Sequence, residues 1–274
     1  MLEYTKFAQE VLAEDIGRGD LFARIGESKK AAARIVAKSE GVLAGVPYVD
    51  AICELQSLQI DWQKSDGDRF EKGDLIARVF GDAIKLLQAE RAILNTILHA
   101  SGIATQARRY VEAAGGRLKV LDTRKTRPKL RVFEKYAARV GGVINHRMGL
   151  DDCLMIKDTH LGTIEDLKSF IAKARKAIPF TSKIEVECED FAKAKEAMEA
   201  GADIVMCDNM EFEEIAKVVR LRDENFPHVL IEASGNITLG TIARYAELGV
   251  DAVSSGSVVH QAVWPDISMK MDTL

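Results

Sequence analysis

Six short apolar runs separated by helical stretches constrain the fold of this chain more than any other feature. Stretches with helical spacing lie between several of the runs. The runs occupy residues 118–123, 153–157, 183–187, 203–208, 228–234 and 251–256, and the helical stretches cover 163–177, 190–200, 211–222 and 238–247. Apolar strands with little polar alternation, followed by amphipathic helices, are typical of a parallel sheet covered by helices. The pattern therefore predicts an α/β fold with six or seven parallel strands.

The spacing of these units favours a barrel over an open sheet, because they repeat at about 20–25 residues towards the end of the series. A doubly wound open sheet is the alternative. The glycine motif GxGxxG, which opens many dinucleotide-binding sheets of that kind, does not follow the first strand at 118–123.

The first hundred residues show a different pattern. Short β-like runs separated by turns rich in Gly, Asp and Lys predict a small antiparallel or mixed sheet; they are 34–39, 42–46, 58–62 and 75–80. An amphipathic helix follows from about Ile84, and Ser101-Gly102 is expected to end it before a second helix over 103–114.

This change of pattern predicts two domains. The first covers residues 1–102 and the barrel domain covers 103–261, and the sequence leaves open whether the tail 262–274 joins the first domain.

Composition and charge limit the possible partners. The net charge is −4, so no overall attraction to nucleic acid or to an anionic membrane is expected. No apolar run approaches the roughly 20 residues of a membrane span, and the N-terminus lacks the features of a signal peptide. The four cysteines lack CxxC spacing, so we expect free thiols in a reducing compartment. A cytoplasmic metabolic protein is the prediction.

Polar residues collect where the predicted strands end, which is where barrel enzymes carry their chemistry. These residues are Asp122 to Arg127, Asn145-His146-Arg147, Lys157-Asp158, Glu187, Asp208-Asn209, Ser234-Gly235-Asn236 and Ser255-Gly256-Ser257. If the strands are assigned correctly, all of these residues lie around the opening of one pocket.

A run of positive charge lies within residues 124–147, where eight Lys or Arg accompany a single acid, Glu134. A solvated basic helix face is the simpler interpretation for four of them, namely Lys129, Arg131, Lys135 and Arg139. Arg124, Lys125 and Arg147 instead adjoin a strand end or a Gly-Gly turn. Two guanidinium groups in one pocket suit planar carboxylates, so we expect a polyanionic small molecule there.

The later strand ends offer groups of a different kind. Glu187 and Asp208 suit a divalent cation or sugar hydroxyls, although each could equally cap a following helix. Ser234-Gly235 and the Gly256 loop suit a phosphate, because glycines let backbone N–H groups approach it closely. His146 is the histidine best placed for a site, and no spacing typical of a zinc site occurs.

These residues together resemble the quinolinate phosphoribosyltransferases, a type II phosphoribosyltransferase family. The matching runs are EDIGRGD (14–20), GVLAG (41–45), ERAILN (90–95), SGIAT (101–105), LDTRKTRP (121–128), EKYAARVGG (134–142), NHRMGL (145–150), MIKDTH (155–160), IEVE (184–187), CDN (207–209), EASGNI (232–237) and DAVSSG (251–256). The departures are Phe22, Val143 and Thr159, where the family usually has Thr, Gly and Asn. They remove no charged group.

The resemblance implies an incomplete barrel, an N-terminal α/β sandwich and a homodimer with a shared active site; whether dimers form hexamers is left open. It implies that quinolinate is bound by Arg124, His146, Arg147 and Lys157, with Arg91 from the neighbouring subunit. It further implies that phosphoribosyl pyrophosphate and Mg²⁺ are bound by Lys125, Glu187, Asp208, Ser234, Gly235, Gly256 and His260, with Glu187 and Asp208 as the metal ligands.

The implied reaction gives nicotinate mononucleotide, pyrophosphate and CO₂, with Lys125, Glu187 and Asp208 as the catalytic residues. A relative acting on another heteroaromatic acid such as nicotinate is the closest alternative. A barrel aldolase using Lys157 or Lys183 as a Schiff base and a non-catalytic metabolite sensor are the others.

Overall fold

The structure is a computed structural model, and it describes residues 2–272 of the chain. The described strands are β1 (Lys30–Ala37), β2 (Gly41–Val42), β3 (Gln59–Trp62), β4 (Arg69–Phe70), β5 (Leu75–Asp82), β6 (Lys119–Leu121), β7 (Leu154–Ile156), β8 (Ile184–Cys188), β9 (Ile204–Asp208), β10 (Leu230–Ser234), β11 (Ala252–Ser254) and β12 (Ile267–Asp272). The described α-helices are α1 (Leu2–Ile16), α2 (Val46–Leu55), α3 (Ala83–Ala114), α4 (Arg131–Val140), α5 (Asp158–Leu161), α6 (Leu167–Ala177), α7 (Phe191–Ala200), α8 (Phe212–Asn225), α9 (Ile242–Leu248) and α10 (Ser257–His260).

The six predicted strands of the second half form one parallel sheet, in the order β6-β11-β10-β9-β8-β7. Every residue of β8 is buried, as expected for a strand that is covered on both faces. Within residues 2–272 no ladder joins the edge strands β6 and β7, so the predicted α/β barrel is confirmed as an incomplete one. Because all six strands are parallel, their carboxyl ends lie at the same edge of the sheet.

The predicted N-terminal sheet is also present. Its order is β12-β1-β5-β3, and all of its pairings are antiparallel. β12 comes from the C-terminal tail and pairs with β1 from Ala32–Asp272 to Ala37–Ile267. The tail was left open by the sequence analysis, and its last two positions, 273 and 274, lie outside the described residues.

The described chain divides into two compact units. The first comprises residues up to Gln106, the segment Tyr136–Gly141 and the tail from Ala262; the second comprises Ala107–Lys135 and Gly142–Gln261. The first unit therefore includes a short internal segment that a single boundary between residues 102 and 103 does not anticipate.

The predicted helix break at Ser101-Gly102 is wrong, because α3 runs without interruption from Ala83 to Ala114. Both residues allow other segments to pack closely against the helix, and neither forms a turn. The Ser101 hydroxyl accepts a hydrogen bond from the Ala44 amide (3.1 Å), and a Cβ on Gly102 would lie 2.8 Å from the Val263 carbonyl oxygen. Glycine is tolerated inside this helix because another segment of backbone passes next to it.

Other boundaries differ from the predictions over short distances. The run 42–46 is strand only at Val42, since α2 begins at Val46 after Gly45, whose φ of 110° favours glycine. The helix expected from residue 238 begins at Ile242. The four cysteines are free, as predicted, and Cys153 alone among them is only half-buried. No described helix combines the length and the low polarity that crossing a membrane would require.

Candidate active site

A pocket of about 330 Å³ opens at the carboxyl ends of the parallel strands. We call it the strand-end pocket, and it is lined by Asp122, Thr123, Arg124, Lys125, His146, Arg147, Met155, Lys157, Glu187, Met206, Asp208, Ser234 and Ser254. All of these residues belong to the second compact unit. Segments that are distant in sequence thus contribute to one cavity, because parallel strands place their carboxyl ends together.

The structure brings most of the predicted site residues to this pocket. Arg124, Lys125, His146, Arg147, Lys157, Glu187, Asp208 and Ser234 are among its lining residues. Four others are not: Arg91 is exposed on α3 in the first unit, Gly235 and Gly256 lie in loops that adjoin lining residues, and His260 is exposed at the end of α10.

Several lining residues were missed by the sequence analysis. Met155 lies two residues before Lys157, Met206 two before Asp208, and Ser254 two before Gly256. Because alternate residues of a strand face the same side, counting back by two from each strand-end residue would have found them.

Arg124 and Arg147 line the pocket from two different segments. The Arg147 guanidinium donates to the Cys153 carbonyl oxygen (3.2 Å) and contacts the sulfur of Met155 (3.3 Å), so its orientation is set before any ligand binds. Partial burial lowers the pKa of Arg124, and the positive charges of Arg147 and Arg131 lower it further. Two cations that repel each other across a pocket make it a favourable place for an anion.

Lys157 and Glu187 form an ion pair within the pocket. The ammonium of Lys157 lies against the Glu187 carboxylate, and the Glu187 side chain is only 10% exposed. The backbone N–H of Lys157 donates to Nδ1 of His160 (2.9 Å), which gives that histidine a structural role. An anionic ligand that binds Lys157 therefore competes with Glu187 for the ammonium.

Lys125 is exposed and follows the turn after β6. Its backbone N–H donates to the Thr123 hydroxyl (3.0 Å). A Cβ on Gly256 would lie 2.9 Å from Cδ of Lys125, so the absence of a side chain at Gly256 makes room for the lysine stem. The two loops after β6 and β11 are adjacent here because those strands pair in the sheet.

The interpretation of Lys135 as part of a solvated basic helix is wrong. Its side chain is 1% exposed and its ammonium pairs with the buried Asp122 carboxylate. Arg139 and Lys129 are exposed, as predicted. Arg131 is half-buried and donates to the Met148 carbonyl oxygen (3.0 Å). Lys135 faces inward because its partner Asp122 lies thirteen residues earlier, directly after β6, which the helix pattern alone does not indicate.

His146 lies between two buried glutamates. Its Nε2 is 3.3 Å from a carboxylate oxygen of Glu185 and 3.3 Å from one of Glu232. Burial lowers the pKa of His146, but these two carboxylates outweigh the burial and raise the pKa to about 10. The backbone N–H of Arg147 donates to Nδ1 (2.8 Å), which favours a lone pair at that nitrogen. The two carboxylates thus favour the charged ring, whereas the Arg147 N–H requires an unprotonated Nδ1 and so favours the neutral ring with its proton on Nε2.

The same three residues are the one described group of acids and histidines close enough to hold a metal ion. A metal-bound histidine normally donates its second ring N–H to an acceptor. Here Nδ1 of His146 faces a donor, the Arg147 N–H. The geometry therefore favours a hydrogen-bonded histidine over a metal ligand.

The loops after β9 and β10 are joined to each other. The Asn209 backbone N–H donates to the Ser234 carbonyl oxygen (2.9 Å), and the Asn236 amide donates to the Asn209 side chain (3.2 Å). Gly235 has a φ of 85°, and a Cβ there would lie 2.2 Å from the Asn209 side-chain oxygen. A side chain at position 235 would thus separate the two loops.

Gly235→Ala is expected to destabilise the protein more than Gly201→Ala. Both glycines have a left-handed φ, 85° and 92°, but nothing lies within 4 Å of a Cβ at Gly201. Gly201→Ala should cost about 1–2 kcal/mol from the backbone conformation alone. Gly235→Ala should cost a further 1–3 kcal/mol or so, because it also crowds Asn209. Urea unfolding of both variants measures the difference, and equal losses would contradict the packing at Gly235.

Two family models match this chain. A family model described as "Quinolinate phosphoribosyl transferase, C-terminal domain" matches residues 103–270, and the corresponding N-terminal domain model matches residues 20–101.

Similar proteins and solved structures carry consistent names. A protein of Bacillus subtilis named probable nicotinate-nucleotide pyrophosphorylase (carboxylating) is 40% identical over 98% of this chain and 93% of its own. The human nicotinate-nucleotide pyrophosphorylase (carboxylating) is 38% identical over 95% of this chain and 89% of its own. The crystal structure of NadC from Streptococcus pyogenes superposes with a TM-score of 0.93 at 41% identity and covers 100% of this chain and 98% of that one.

Proposed function

The chain belongs to the quinolinate phosphoribosyltransferase family, and we propose that the strand-end pocket is its active site. The activity is transfer of the phosphoribosyl group of phosphoribosyl pyrophosphate to quinolinate with decarboxylation, which gives nicotinate mononucleotide, pyrophosphate and CO₂. Family membership argues against the aldolase and the metabolite-sensor interpretations. The observation that carries the proposal for the site is the placement of Arg124, Lys125, Arg147 and Lys157 around one cavity.

The charges of the two substrates explain why four cations are needed. Quinolinate carries two adjacent carboxylates, and its partner carries several phosphate charges. Two unit charges 4 Å apart interact by about 4 kcal/mol at the effective dielectric of a protein surface. Without fixed positive groups the two anions would repel each other strongly. The pocket's arginines and lysines offset that repulsion and hold the reactants together.

The quinolinate side of the pocket is assigned to Arg124, His146, Arg147 and Lys157. The two guanidiniums suit bidentate contacts to carboxylates. The neighbouring subunit of a homodimer would supply Arg91, which is exposed on its own helix. The finding that two of these side chains already repel each other supports an anion as the ligand.

The phosphoribosyl side is assigned to Lys125 and to the loops after β10 and β11, which contribute Ser234, Gly235 and Gly256, with His260 on the short helix that follows. Gly256 leaves room for the Lys125 stem, and Gly235 keeps the β9 and β10 loops together. These features support a phosphate site, because closely approaching backbone and a lysine are both suited to phosphate oxygens.

Glu187 and Asp208 are the residues that would hold Mg²⁺. They lie at the ends of the paired strands β8 and β9, and both line the strand-end pocket. Mg²⁺ is commonly bound by one or two carboxylates together with substrate phosphates, so the donor set fits. When bound, the ion would neutralise charge on the departing pyrophosphate. Glu187 also pairs with Lys157.

The chemistry follows from these positions. The pyridine nitrogen attacks C1′ of the ribose as pyrophosphate leaves, through a transition state with oxocarbenium character. Lys125 stabilises the negative charge on the leaving group. The ring nitrogen is then positively charged, so the bond to the 2-carboxylate can break with its electron pair kept on the ring carbon. CO₂ departs, and a proton from water or from Lys125 completes the product.

The assembly and the location of the protein are also part of the proposal. A homodimer in which Arg91 reaches the partner's pocket would give a role to an exposed arginine that does not line the strand-end pocket of its own chain. Free cysteines support a reducing compartment such as the cytoplasm.

The test of this function is direct. The purified protein is mixed with quinolinate, phosphoribosyl pyrophosphate and Mg²⁺, and nicotinate mononucleotide and CO₂ are measured. Product is expected with quinolinate and not with nicotinate, and it should disappear when the metal is chelated. Turnover of nicotinate with no turnover of quinolinate would favour the related transferase instead.

A further inference from the structure

Asp122 and Lys135 form a buried ion pair. Both residues are 0% exposed, and the Lys135 ammonium contacts Oδ1 of Asp122. Burial raises the pKa of Asp122 and lowers that of Lys135, so burial disfavours the charge on each. A buried ion pair is weak evidence for a stabilising role, because its desolvation can cost more than its attraction returns. The pair therefore calls for another explanation.

The Asp122 carboxylate binds two further donors from one segment. Oδ1 accepts the backbone N–H of His146 (2.8 Å), and Oδ2 accepts the side-chain amide of Asn145 (2.6 Å). That amide also donates to the Lys135 carbonyl oxygen (2.9 Å). The side chain of Asp122 thus fastens the segment that carries Arg147 to the end of β6.

The attachment begins where backbone pairing ends. The Ile144 N–H donates to the Val120 carbonyl oxygen (2.9 Å), and the Asp122 N–H donates to the Ile144 carbonyl oxygen (3.3 Å). Beyond Ile144 the two segments are joined by hydrogen bonds to the Asp122 side chain instead of by backbone pairing. Arg124 is two residues after Asp122, and Arg147 directly follows His146. The backbone segments of both arginines are therefore attached to the same buried carboxylate.

Building on the proposed function, we propose that the buried Asp122–Lys135 pair is a positioning device that fixes the spacing of Arg124 and Arg147 for two adjacent carboxylates. The two arginines repel each other, so without an anchor their backbone segments would move apart. Lys135 holds the Asp122 carboxylate in place, and Asp122 holds both segments. The ligand class that such a fixed pair of guanidiniums selects is a vicinal dicarboxylate on a planar ring.

Three variants test this role: Asp122→Asn, Lys135→Met and the double variant. Asp122→Asn turns an amide NH₂ towards Asn145 or His146 in place of an acceptor. Lys135→Met leaves the buried Asp122 charge without its partner and is expected to lower the melting temperature most. The double variant replaces both ions by neutral groups of similar size, which often restores stability.

The readout is quinolinate affinity, measured by calorimetry beside nicotinate affinity, phosphoribosyl pyrophosphate affinity and melting temperature. We expect the double variant to regain its melting temperature while its quinolinate affinity stays about 10- to 100-fold below wild type, since misplacement by about 1 Å can cost 100-fold. Its preference for quinolinate over nicotinate should fall by a similar factor, and its affinity for phosphoribosyl pyrophosphate should change less than about threefold.

The outcomes separate the two proposals. A double variant with both wild-type melting temperature and wild-type quinolinate affinity would overturn the positioning role and leave the proposed function standing. Equal losses of affinity for both substrates would also overturn it, because a general structural defect would explain them. A wild-type protein that does not bind quinolinate would overturn the proposed function itself, and the positioning role with it.

Discussion

Arg147→Ala is expected to weaken quinolinate binding by about 30-fold or more and to leave the fold intact. The guanidinium lines the strand-end pocket and is held by the Cys153 carbonyl oxygen and the Met155 sulfur, so it needs no reorganisation to meet a carboxylate. Removing one partner of a desolvated charge pair costs about 2–5 kcal/mol, and every 1.4 kcal/mol is tenfold in affinity. Calorimetric titration with quinolinate measures the loss.

The matched control is Arg139→Ala, in the same basic stretch of sequence. Arg139 is exposed on α4 and is not among the residues that line the pocket, so its removal should change quinolinate affinity less than about threefold. Arg124→Ala should behave as Arg147→Ala does, because both side chains line the strand-end pocket. Normal quinolinate affinity and turnover in either pocket variant, with a native circular dichroism spectrum, would be incompatible with the proposed site.

The contrast between Arg147 and Arg139 also shows what the sequence could indicate. A charged residue that follows a strand end or a glycine turn is predicted to lie at the carboxyl edge of the parallel sheet. Arg124, Arg147 and Lys157 were predicted in this way. All six parallel strands were likewise predicted, because apolar runs between amphipathic helices have few alternative structures. In both cases the prediction depends on the local sequence pattern and not on the distant residues that each side chain contacts.

Features that depend on a distant partner were not predicted. Lys135 has the sequence context of a surface lysine, and it is buried because it pairs with Asp122, which directly follows β6. Gly102 has the appearance of a helix break, and it is a contact point because the tail at Val263 passes beside it. The Glu185 and Glu232 carboxylates were read as strand residues, and they meet at His146 from β8 and β10. Each of these needs the tertiary fold before its role can be assigned.

Lys125→Met is expected to lower kcat by roughly 100- to 1000-fold, the range found when one group that stabilises developing negative charge is removed. Lys125 is exposed at the pocket mouth, and its stem passes the space left by Gly256. Its ammonium can therefore follow the pyrophosphate as the bond to C1′ breaks. Methionine keeps the length of the stem and removes the charge. Rapid-quench measurement of nicotinate mononucleotide formation gives the rate of the chemical step.

A loss confined to the chemical step would distinguish Lys125 from the arginines that we propose bind quinolinate. The charge of pyrophosphate grows only as it leaves, so Lys125→Met should reduce kcat much more than it reduces quinolinate affinity. Lys129→Met is the matched control, since Lys129 is an exposed lysine four residues later that does not line the pocket. If Lys125→Met keeps kcat within about threefold of wild type, the leaving group is stabilised by other residues. A parallel fall in quinolinate affinity would instead place Lys125 with Arg124 and Arg147, where binding and catalysis share the same cations.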